Sequence, residues 1–288
     1  SNVAVGHDSL RLNTTASNNT AVGTDSLRVN TTGAFNTGLG DSALLANTTG
    51  NTNTAVGGRA LQTNTTGDRN TAVGFQSLAL LNPSSNADMY NTGIGYNAGY
   101  AVTTGTNNTL IGGLAGDANT TGANNTAVGK DALGSNTTAD ANTAFGYGSL
   151  RDNTTGSSNV GLGYLTLEEN TTGGNNTAVG FQTLEENTTA SNNTGLGYFA
   201  LRKNTTGTEN TAVGMSSSTA NTTGNYNASF GKGTLTTNTT GSQNTAIGTN
   251  SLQSATTANN NTGVGYYALQ ANTTGSQNTA IGTNALDA

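Results

Sequence analysis

An Asn followed three residues later by a large apolar residue and four later by a Gly recurs seventeen times, from Asn2 to Asn278, and successive copies lie 17 residues apart except Asn70 to Asn91, which lie 21 apart. A fixed short period carried from end to end means one structural unit stacked on copies of itself, so the fold is decided before any single residue is weighed. The unit reads N-T-A-V-G-x-x-A-L-x-x-N-T-T-G-x-x. Its first position is always Asn, its fifth always Gly, and its fourth always a large apolar residue such as Val22, Leu39, Ile94 or Phe145. The ninth is Leu except at Gly99, Gly116 and Ser218, whereas positions six, seven, ten and eleven vary freely.

Within the unit, T-A-V-G has the short, β-branched character of a strand, and A-L suggests a second extended segment after a bend. Gly and Asn supply the special backbone conformations that tight corners need. Strand, corner, strand, corner is one coil of a parallel β-solenoid, so the expected fold is all-β with seventeen 17-residue coils forming one array over 1–288. Helical repeats are excluded, because a helical hairpin unit needs about 33 residues or more. Identical residues should then stack into ladders, Asn satisfying its own amides and the Val and Leu columns filling a thin interior. The small third position (Ala21, Gly38, Ala55, Gly93) alternates with the fourth, and as an outward stripe it would let neighbouring chains approach closely. Two sizeable apolar side chains per coil, each worth roughly 1.5–3 kcal/mol when buried, leave a lone coil stack marginal and favour association.

Composition removes several classes. The chain of 288 residues is 32% hydrophobic and 8% charged with 41 glycines and one proline, unlike an ordinary globular domain. Disordered low-complexity chains do not hold β-branched residues in phase through seventeen copies. With no cysteine and the single His7, disulfides, thiolate sites and multi-histidine metal centres are not available. A net charge of −6 with nine scattered Lys and Arg argues against nucleic acid as a partner. No apolar run reaches the ~20 residues of a membrane span, and no signal-peptide pattern opens the chain. Because the pattern is already running at both termini, the sequence reads as a section of a longer fibrous protein.

The string N-T-A-V-G-x-x-S-L, as in Asn19 to Leu27 and Asn70 to Leu78, resembles the head repeat of trimeric autotransporter adhesins of the YadA type, and is similar to repeats of tail-fibre-like proteins that end in an intramolecular chaperone. That resemblance covers essentially the whole chain. It implies a left-handed, homotrimeric parallel β-roll displayed outside a cell or virion and used for attachment to a host-surface or glycan receptor. The family's head unit is shorter than seventeen residues, and the extra length here lies around N-T-T-G.

Three surface chemistries are candidates. The N-T-T triplets at Asn13, Asn30, Asn47, Asn64, Asn119, Asn136, Asn153, Asn170, Asn187, Asn204, Asn221, Asn238 and Asn272 have the form of N-glycosylation acceptors, although a structural Asn/Thr ladder explains the same repetition. Position six carries Phe75, Tyr96, Tyr147, Tyr164, Phe181, Tyr198 and Tyr266, aromatic rings that could stack on sugars or a partner, or simply sit on the surface. Thr columns raise an ice-binding face, but Thr31 and Thr32 are adjacent and point to opposite sides of an extended strand. Nothing converges as a nucleophile, base and orienting group must, so no catalytic residue, metal ligand or cofactor is assigned. The insertion, 79–90 with Pro83, is expected as a surface loop. The reading is a structural or adhesive extracellular fibre segment; the alternatives are a self-assembling glycosylated filament and an ice- or carbohydrate-binding solenoid.

Overall fold

A computed structural model describes residues 1–287. Two compact blocks divide the chain, one ending at Asn142 and the other beginning at Thr143. In the first, eight three-residue strands (Val3–Val5, Thr20–Val22, Thr37–Leu39, Thr54–Val56, Thr71–Val73, Thr92–Ile94, Thr109–Ile111 and Thr126–Val128) pair in parallel, each with the same positions of the next copy. In the second, nine more run from Thr143–Phe145 to Thr279–Ile281 in the same manner. Thr20 faces Thr37, Ala21 faces Gly38 and Val22 faces Leu39, so like stacks on like across a 17-residue step. Both blocks are therefore parallel β-solenoids, as the period requires. Among the described residues no helix is long and apolar enough to cross a membrane.

The second strand expected around A-L is absent; that stretch is a run of overlapping turns. In the coil beginning at Asn19, Ser26 donates to the Gly23 carbonyl, Arg28 to Asp25 and Asn30 to Leu27, at 3.4, 3.3 and 3.1 Å. The turns need positive φ at positions seven and nine, and non-glycine residues supply it: Asp25 at 57° and Leu27 at 50°. A left-handed Leu costs of order 1 kcal/mol. Full burial of the same side chain, as at Leu27, Leu44, Leu61 and Leu184, returns roughly 1.5–3 kcal/mol. The turn thus stands because it aims the ninth side chain inward.

The interior differs from expectation in a second way. The small third position is inside: Ala21, Ala55, Ala72 and Ala127 are fully buried. The large fourth position is outside, with Val5, Leu39, Phe145, Leu162 and Leu196 exposed. A uniform position need not be a core position. The coil is too narrow to take a large side chain from both the strand and the opposing turn, so Leu at nine fills the space and the strand turns its Ala or Gly toward it. Volume is traded locally: a methyl on Gly38, Gly93 or Gly263 would meet the hydroxyl oxygen of Ser26, Ser77 or Ser251 at 2.5–2.6 Å. Each of those serines sits at position eight of the preceding coil and donates to the carbonyl of the glycine it faces.

Two buried asparagines per coil hold the rest. In the same coil, Asn19 and Asn30 both donate from Nδ2 to the Gly33 carbonyl at 2.9 Å. Asn36 N–H donates to Asn19 Oδ1 and Asn47 Nδ2 to Asn30 Oδ1, carrying both columns to the next coil. The Thr column ties the third side, Thr31 Oγ1 donating to the Thr48 carbonyl at 3.0 Å. Half the interior is thus polar and almost wholly satisfied, which is how a chain with so little apolar content closes a core.

At one break in the position-twelve column the defect is visible. Ala255 replaces Asn, and the buried Oδ1 of Asn238, one coil earlier, has no partner. Restoring the donor with Ala255→Asn is expected to raise stability by about 1–2 kcal/mol. The urea midpoint should rise while the dependence on urea stays unchanged, and no rise would refute the ladder as an energetic unit.

The insertion is anchored more than a free loop would be. Leu81, Pro83 and Met89 are buried, Gly67–Asp68 pairs in parallel with Ala87–Asp88, and the exposed run narrows to Ser84, Ser85 and Asn86. Leu81 and then Val102 take the Asn place at position twelve, both fully buried. Just beyond, Leu110 stands at the normally small third position and reaches across the interior: methyls on Gly99 and Gly116 would lie 2.7 Å from its two terminal carbons. The missing ninth-position leucines are therefore replaced, from the opposite wall, by one residue.

Candidate functional site

The outward face of the strand ladder is the most regular surface in each block. Strand side chains alternate, so with position three buried, positions two and four both point out. Position two is Thr throughout except Val3, Val160 and Ala228; position four is Val, Leu, Ile or Phe throughout. No charge interrupts it. Fourth-position side chains from Leu39, Ile94, Phe145, Leu162, Leu196, Phe230 and Ile247 are 37–51% exposed.

Beside it lies position six, just past the obligatory Gly. All seven aromatics expected there are exposed, and the structure gathers most of them into stacks. Tyr147, Tyr164, Phe181 and Tyr198 form one column with centroids 5.4, 5.1 and 5.3 Å apart and planes within 14°. Phe75 and Tyr96 form a looser pair at 6.1 Å, and Tyr266 lies edge-on to Tyr267 at 4.1 Å. Coil rise alone brings the rings to this distance. Because ring faces in the column are turned on one another, they are not free to lie against sugar rings, and the column offers edges and Tyr hydroxyls instead. The glycan-stacking mechanism loses its geometry here.

Positions ten and eleven vary freely from copy to copy, as solvent-facing positions do. In the second block, position ten is instead an ion-pair column: Arg151 meets Glu168 at 2.5 Å and Arg202 meets Glu185 at 2.6 Å, with Arg202 also 5.0 Å over the Phe199 ring. Glu168 and Glu185 are nearly buried. Burial pushes the Glu168 carboxyl above its ordinary range, partly opposed by Arg151. Burial raises Glu169 too, with Glu186 adding to it. Both columns were missed because the sequence was read one unit at a time, whereas the pairing is between units.

Most of the Asn-Thr-Thr asparagines lie inside the coils. Asn30, Asn47, Asn64, Asn119, Asn136, Asn153, Asn170, Asn187, Asn204, Asn221 and Asn238 are buried to within 1% of full enclosure, and their Nδ2 donates to the carbonyl three residues on. An N-linked sugar at these positions of the folded chain would have to break those bonds and part the coils. Asn13 and Asn272 are partly exposed and keep the same local bond.

His7, Asp8 and Asp25 bring one ligand atom each within 4.8 Å of one another. Both carboxylates already meet arginines, Asp8 with Arg11 at 3.2 Å and Asp25 with Arg28 at 3.4 Å. A shallow cavity of about 330 Å³, lined by Leu269, Asn272, Gly275 and Leu286, lies at the last coil. Compared with protein-family models, curated proteins and solved structures, the chain gives no match.

Proposed function

We propose that the chain is a structural, adhesive segment of an extracellular fibre, assembled as a homotrimer through the outward Thr/apolar ladder. The observation that carries this is the uninterrupted apolar fourth column outside the coil. Each strand leaves on the order of 100 Å² of Thr methyl and apolar side chain open, so a nine-strand block offers roughly 900 Å², against about 800 Å² per partner in a standard stable interface. Soluble chains seldom leave so long an apolar stripe uncovered. A second copy fits it best, because only a ladder of the same strand spacing matches it coil for coil. The role is presentational, not catalytic, and by the resemblance its coil is left-handed and its place the cell or virion surface.

Light scattering of the purified chain tests the assembly. A three-chain mass is expected, falling to one chain in Leu162→Lys/Leu196→Lys with circular dichroism unchanged, since those side chains contribute nothing to the interior. A one-chain mass for the unaltered protein at tens of micromolar refutes the trimer.

A second reading uses the same face. Thr and Val of one strand point the same way, two residues apart, in register from coil to coil, an arrangement an ice-binding face would use. Thermal hysteresis in a single-chain preparation favours it over assembly.

A further inference from the structure

Position seventeen holds asparagines that the N-T-T pattern passes over. Asn18, Asn107, Asn124, Asn175, Asn192 and Asn260 are each followed by the invariant first-position Asn and then by Thr, so each opens an Asn-Asn-Thr triplet, which satisfies the Asn-x-Ser/Thr acceptor rule. Their surroundings are the reverse of those at position twelve. All six are exposed, at a corner where φ is 57–63°, a left-handed conformation that Asn tolerates. The side-chain amide of Asn18 reaches only Ser17 Oγ at 3.5 Å, and that of Asn107 only Thr106 Oγ1 at 3.3 Å. Among the described residues, no side-chain hydrogen bond holds Asn124, Asn175, Asn192 or Asn260. The Thr two residues on, at strand position two, is open at Thr20 and Thr194 and half-buried at Thr109, Thr126, Thr177 and Thr262.

We infer that these six asparagines are where the folded chain accepts N-linked sugar. The donor class is a sugar carried on a diphosphate, either nucleoside or polyprenyl, and the transferase supplies the base. The Asn Nδ2–C1 bond forms as the C1–O bond to the diphosphate breaks, the diphosphate leaves with the electron pair, and one Nδ2 proton passes to the base. Nothing is oxidised or reduced. The solenoid limits the load: Asn107 and Asn124, like Asn175 and Asn192, sit on adjacent coils about 4.8 Å apart. Single hexoses fit at all six positions, whereas branched oligosaccharides fit one of each neighbouring pair, four in all.

The test uses a transferase first shown to glycosylate all six triplets, and the N-T-T triplets, in peptides cut from this chain. The intact folded chain is then incubated with a nucleoside-diphosphate hexose in one arm and a polyprenyl-diphosphate oligosaccharide in the other, and sites are mapped by peptide mass spectrometry. Expected are six hexoses in the first arm and no more than four glycans in the second, with occupancy at least tenfold above that of the eleven buried N-T-T positions. Asn124→Gln in the oligosaccharide arm should leave Asn107 as the occupied member of that pair. Sugar on the buried positions of the folded chain, or none on the six, overturns the inference. Because it is read on site occupancy, it stands or falls separately from the three-chain mass.

Discussion

Gly163→Ala is expected to lower the thermal midpoint of the second block by about 10 °C, a loss of about 4 kcal/mol or more. Fifth-position glycines carry φ between 114° and 139° in every copy, and Gly163 is at 137°. That region is closed to a residue with a Cβ at a cost of order 1–3 kcal/mol. Position adds to conformation, because the methyl would overlap the carbonyl oxygen of Gly180 on the next coil. Overpacking against backbone that cannot move costs a further 1–3 kcal/mol, roughly. Gly113→Ala is the control: nothing lies within 4 Å of its Cβ, and a change within about 0.5 kcal/mol is expected. Equal effects of the two substitutions, read by urea and thermal unfolding, would show that the glycine column is not holding the coils at their spacing.

The second large effect lies in the first block. Leu110→Ala empties the space that one side chain fills for two missing leucines, and a loss of about 3–5 kcal/mol is expected, the upper part of the large-to-small range. The double variant Leu110→Ala/Gly116→Leu returns that coil to the consensus pattern, with Gly116 already at the φ of 56° that buried ninth-position leucines adopt. It should recover more than half of the loss. Gly116→Leu alone should destabilise, because its side chain would collide with the terminal carbons of Leu110. Simple additivity of the two substitutions would contradict the exchange across the interior.

The period was sufficient to read the stacking of like on like, since only one coil length places Asn over Asn and Gly over Gly. It was not sufficient to say which wall each column faces. Alternation assigns Ala21 and Val22 to opposite sides and is silent on which side is the interior. Burial of Ala21 follows from a fact outside its own strand, that Leu27 arrives from a turn and fills the narrow space first. Phe181 was legible as a surface residue, but its column with Tyr164 and Tyr198 needed the coil rise as well. Asn30 and Asn18 show the limit most plainly. Both satisfy the same acceptor rule, and only the hydrogen bonds around their amides separate a structural asparagine from an accessible one. The coupling of Gly38 to Ser26 was present in the sequence all along, as a correlation between one unit's eighth position and the next unit's third.

Because each Asn column asks only that another Asn stand seventeen residues away, the Asn bonds themselves keep no record of which copy is which. A loss or duplication of one whole unit within an unbroken run rejoins Asn to Asn and leaves the Asn bonds to re-form, whereas a gain of one residue sets the following strand out of phase. Length is therefore free to drift by recombination between near-identical segments, while the cross-section is held. The 21-residue interval before Asn91 is the one place where the chain departs from that step, and there the departure is absorbed by Pro83 and Met89 before the columns resume.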